Sequence, residues 1–93
     1  MKEEQIKENK KLCLEQLRLS KWQLIWNREH EIRMFEEQDK REMTRLELEG
    51  KTDTKAIVQM GAAIDSQIKA KKGEIEYAKK EIEFLNKDIE AFK

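Results

Sequence analysis

From Ile57 to Phe92, apolar side chains recur at alternating intervals of four and three residues, and this repeat limits the possible folds more than any other feature of the chain. Ile57, Ile64, Ile68, Ile75, Ala78, Ile82, Leu85, Ile89 and Phe92 all fall on it, with Gly61 and Lys71 as exceptions. A helix gathers positions three and four apart onto one narrow stripe, whereas a strand would need strict alternation, so the segment is expected to be one strand of a coiled coil.

The rest of the composition agrees with an all-α fold. Charged residues make up 43% of the 93 residues and apolar ones 38%, so burial must run along a seam rather than into a broad core. Proline is absent and glycine occurs three times, as expected of long helices. The clearest punctuation is Gly50-Lys51-Thr52-Asp53: Gly50 can close one helix in the left-handed conformation, and Thr52 or Asp53 can accept a backbone N–H at the start of the next. A single helical domain follows, with helices over about 3–49 and 53–92 and a turn at 50–53. Short connections of this kind make antiparallel hairpins. Ser20 and Gln23 fit a capping box, but good helix formers surround them, so an unbroken first helix is expected, with a bend near Ser20 as the variant.

The flanks of the repeat carry directional information. With Ile68, Ile75, Ile82 and Ile89 at position a, the g positions are Glu74, Glu81 and Asp88, while Lys72, Lys79, Asn86 and Lys93 hold e. In a parallel pair, Glu74 of one copy meets Lys79 of the other and Asp88 meets Lys93, with Glu81 opposite the neutral Asn86. An antiparallel self-pair would oppose like charges. The best register in the first helix, Trp22, Ile25, Glu29, Ile32, Glu36, Asp39, Met43 and Leu46, is interrupted by acidic residues, and Arg33 and Lys40 would face lysines. The expectation is therefore a dimeric helical bundle, a parallel homodimer joined through Ile64, Ile68, Ile75, Ile82, Leu85, Ile89 and Phe92 and flanked by Glu74, Lys79, Glu81 and Asp88. The alternative is a seam that packs on the chain's own first helix.

The densest apolar material lies upstream, from Leu12 to Phe35, and holds both tryptophans four residues apart. At helical spacing, Trp22, Ile25, Trp26 and Ile32 read first as core. The sharper reading makes Trp22, Trp26, Leu24 and Phe35 a partner-binding hot spot, because the apolar arc is wider than one packed neighbour needs.

No catalytic or metal constellation can be written onto the chain. His30 is the only histidine, Met34 stands where a zincin helix needs a second one, and Asn27 stands where a carboxylate-bridged bundle needs glutamate. Ser66-Gln67-Ile68-Lys69 matches S-x-x-K without its companion motifs. Cys13 is the lone cysteine and lies in mid-helix, and the glycines are too far apart for a phosphate loop. A non-enzymatic protein with no cofactor is expected. Its 20 basic and 20 acidic residues are interspersed, which demotes nucleic-acid binding, and no apolar stretch is long enough to span a bilayer. With no signal-type N-terminus, the expected setting is cytoplasmic. The leading function is a homodimerising protein-interaction module that presents an aromatic helix face. The alternatives are a small phage or mobile-element inhibitor or adaptor that blocks a host protein, and a nucleic-acid packaging or regulatory protein using the face of Lys69, Lys71, Lys72, Lys79 and Lys80.

Overall fold

The computed structural model describes residues 2–92, and among them the chain is helical apart from its two ends and one turn. Helix α1 spans Glu3–Met34, a π-helical turn follows over Phe35–Asp39, α2 covers Lys40–Glu49 and α3 runs over Thr54–Glu90. Glu3 and Glu4 complement the positive end of the helix dipole, and the Gln5 side chain accepts the Lys2 backbone N–H at 3.2 Å. Ser20 lies inside uninterrupted α-helix. Gly50 ends the first arm at φ 66°, a conformation that only glycine adopts without strain. Asp53 then caps α3 by accepting the Lys55 N–H at 3.2 Å.

The two arms lie antiparallel in a rod of 71 × 16 × 16 Å. Its core cluster joins Ile25 and Ile32 of α1 to Ile68, Ile75, Ala78 and Ile82 of α3, with Leu24, Phe35 and Ile64 packed at its margin. Ile57, Leu85 and Ile89 are buried as well. The repeat of α3 thus packs on the chain's own first arm, and the seam assigned above to a parallel second copy is occupied within the hairpin. The acidic flanks follow suit: Glu74 pairs with Arg28 and Glu81 with Lys21, while Asn86 accepts from Arg18. Lys79 and Asp88 stay exposed, Phe92 is half-buried, and Lys93 lies outside the described residues.

The cause of this departure is the register of the first arm. Its inner face is Leu14, Arg18, Lys21, Ile25, Arg28, Ile32 and Phe35, all at least half-buried, while Glu29 and Glu36 point to solvent. The seam therefore runs through the residues just before Trp22, Glu29 and Glu36, and it carries cations that meet the acidic g positions of α3. At the π turn the Lys40 N–H donates to the Phe35 carbonyl, five residues back. The extra residue rotates the following helix, so that Met43 and Leu46, also half-buried, face α3.

The two glycines of α3 differ in their surroundings: Gly61 lies in the seam and Gly73 on the exposed side. A Cβ on Gly61 would stand 3.3 Å from the Met43 thioether, whereas one on Gly73 would meet nothing within 4 Å. Gly73→Ala is expected to stabilise the hairpin by about 0.5–1 kcal/mol, read as a higher urea midpoint, and Gly61→Ala by less.

Candidate protein-binding face

The first arm sorts its charges inward. Lys21 reaches Glu81 at 3.0 Å, Arg28 donates to Glu74 at 2.7 Å and to Glu31 at 2.6 Å, and Arg18 donates to Asn86 at 2.8 Å. Lys71, an exception in the apolar repeat, bonds to Glu31 and holds its ammonium 5.8 Å from the centre of the Phe35 ring. These long side chains lay their methylene stems along the seam and bring their charged ends to its edge. Each such pair is worth only about 0–1 kcal/mol, so their chief effect is to fix how the arms face each other.

Acidification should loosen this edge. The hydrogen bond from Lys71, reinforced by the charge of Arg28, holds the Glu31 carboxyl below its ordinary range, and Arg45 does the same for Glu42. A carboxyl depressed in the folded state stabilises it above the ordinary carboxylate range, and that contribution is lost as pH falls through the depressed value. The urea midpoint should therefore drop on acidification, and Glu31→Gln should make the drop shallower; an identical profile would show that Glu31 does not contribute.

What the inner face gains in charge, the outer face lacks. From Asn9 to His30 the positions of α1 turned away from α3 form three rows. One row is Leu12, Leu19 and Trp26, the next Cys13, Ser20 and Asn27, and the third Asn9, Gln16, Gln23 and His30; all are exposed and, with His30 neutral, none is charged. In a chain that is 43% charged, the outer positions of a two-helix rod would ordinarily be lysine and glutamate. Of the seven charged residues in the same stretch, Lys11, Glu15, Arg18, Lys21 and Arg28 are half-buried, and only Lys10 and Glu29 are exposed. Leu12, Leu19, Trp22 and Trp26 keep 52%, 51%, 37% and 54% of their surface in solvent. The two indoles stack with centroids 6.3 Å apart and planes 26° from parallel, which presents them as one broad apolar plate.

The residues singled out from the sequence therefore separate. Ile25 and Ile32 are core, Trp22 and Trp26 are surface, and Leu24 and Phe35 pack against the core instead of joining the tryptophans outside. Leu12, Leu19 and the uncharged rows were not among the candidates. Their signal is the absence of charge at every third or fourth residue from Asn9 to His30, which becomes visible once the inner face is placed at Lys21 and Arg28. Toward the open end of the hairpin, a groove of about 530 Å³ lined by Ile6, Leu14, Leu17 and Phe92, with Asn9, Lys10 and Cys13 beside them, adds further apolar surface. Tyr77 and Phe84 are exposed on α3, where charged neighbours such as Lys80 and Glu83 interrupt them.

Among the described residues, no group of three His, Cys, Asp or Glu side chains is placed to hold a metal ion. No helix among them is long and apolar enough to cross a membrane. No protein-family model, curated protein or solved structure matches the chain.

Proposed function

We propose that the chain is a non-catalytic protein-interaction module whose binding surface is the uncharged outer face of α1, centred on Trp22 and Trp26. The observation that carries this reading is the inverted distribution of polarity in α1, whose Arg18, Lys21 and Arg28 turn toward α3 while Leu12, Leu19 and Trp26 turn outward. Depletion of charge together with enrichment in tryptophan marks the cores of protein–protein interfaces. Such a face also disfavours nucleic acid, whose phosphates are engaged by exposed cations. The most regular lysine face, on α3, loses Lys71 to Glu31 and is interspersed with Glu76 and Glu83. The test is a pull-down comparing the wild type with Trp22→Ala and Trp26→Ala, with helicity checked by circular dichroism. Loss of binders from folded variants is expected, and equal recovery would refute the role of the face.

A further inference from the structure

We infer that the outer face of α1 docks on the same face of a second copy, antiparallel, with the two-fold axis beside Leu19. This deepens the binding role proposed above and rests on it.

The first support is area. The chain exposes 7461 Å², whereas a compact monomer of 11.2 kDa exposes about 5,700 Å². The excess, about 1,800 Å², is roughly twice what one partner contributes to a standard stable interface. Part of that excess is the uncharged outer face of α1, and because this face points away from α3, a second copy docked on it sets the four helices side by side in one layer, with the two α1 helices in the middle.

The second support is self-complementarity. A two-fold interface needs residue i to suit residue j and residue j to suit residue i. Along the outer face the sequence Asn9, Leu12, Gln16, Leu19, Gln23, Trp26, His30 keeps intervals of three and four throughout. That is a second seam, about 32 Å long at 1.5 Å per residue. Reversed on itself about Leu19, it sets Leu12 against Trp26, Gln16 against Gln23, Leu19 against Leu19 and Asn9 against His30. Apolar meets apolar, amide meets amide, and no charge enters a seam position. A parallel pairing would stack Trp26 on Trp26 and Leu12 on Leu12, giving one overfilled layer and one underfilled, which interdigitating side chains avoid. Zero formal net charge leaves no long-range repulsion between copies.

Light scattering at high micromolar concentration should return twice the 11.2 kDa chain mass for the wild type. Leu19→Glu places two carboxylates at the axis and should weaken association by about 30-fold or more, to the single-chain mass, with helicity retained. Phe84→Glu, on α3, should leave the mass doubled. Orientation is read in a Cys13→Ser background: Leu12→Cys mixed with Trp26→Cys should form a disulfide between the two variants on oxidation, and Leu12→Cys alone should not. A monomeric wild type, or a Leu19→Glu variant that keeps the doubled mass, overturns self-docking; cross-linking of Leu12→Cys alone without the mixed product overturns the antiparallel register. The wider binding role fails separately, only if Trp22→Ala and Trp26→Ala recover the same binders as the wild type.

Discussion

Ile25→Ala is expected to cost about 2–5 kcal/mol of folding stability, the largest effect of any single truncation in the hairpin. Ile25 is 1% exposed and is the most deeply buried large side chain among the described residues. It lies in the cluster formed by Ile32 of α1 and Ile68, Ile75, Ala78 and Ile82 of α3. Ile25 and Ile32 are the two buried residues of α1, so truncating Ile25 removes much of what this helix contributes to the cluster. Domains have about 5–15 kcal/mol in all, so a loss of this size consumes much of the margin. Urea denaturation followed by circular dichroism, at fixed protein concentration, checks it. Leu48→Ala, which removes an exposed side chain, should shift stability by no more than about 0.5 kcal/mol. Equal effects at the two positions would place Ile25 outside the core.

Trp22→Ala and Trp26→Ala should do the reverse, leaving the fold nearly intact and damaging binding. Truncation of a central tryptophan at an interface costs about 2 kcal/mol or more, a loss near 30-fold in affinity. Within one chain the two rings stack on each other with centroids 6.3 Å apart, so their combined removal should cost less than the sum of the single losses. Isothermal titration or sedimentation with any captured partner measures the affinity, and the urea midpoint measures the fold. A large fall in stability with binding unchanged would make the indoles structural.

Much of the architecture was legible in the sequence for simple physical reasons. The repeat from Ile57 to Phe92 required a helix with one apolar stripe, and Gly50 with Asp53 marked where the chain turns. The occupant of that stripe was harder to read. The inner face of α1 contains Arg18, Lys21 and Arg28, which hydropathy assigns to solvent, and the π turn at Phe35–Asp39 breaks the continuity by which a single register can be followed. With Trp22 and Glu29 placed in the seam, the first arm looks like a poor complement and a second chain looks necessary. Moving the seam by one residue turns Lys21 and Arg28 toward Glu81 and Glu74, and the same move exposes Leu12, Leu19 and Trp26 as a face in their own right. The π turn itself has no local sequence signature: Phe35-Glu36-Glu37-Gln38-Asp39 would suit an ordinary α-helix.

The division of α1 into a charged inner face and an uncharged outer one is tested most directly by a charge-reversal cycle at Lys21 and Glu81, which lie 3.0 Å apart and are both half-buried. In a parallel pairing of α3 with a second copy, Glu81 would face the neutral Asn86 and have no tie to Lys21. In the hairpin, Lys21→Glu opposes two carboxylates and Glu81→Lys two ammonium groups, while the double variant restores an attractive pair. Urea denaturation of the four proteins at one concentration should return a favourable coupling of about 0.5–1 kcal/mol, the double variant being more stable than the summed single losses predict. Losses that simply add would contradict the inward orientation of Lys21, and with it the claim that the outer face of α1 is the surface left for binding.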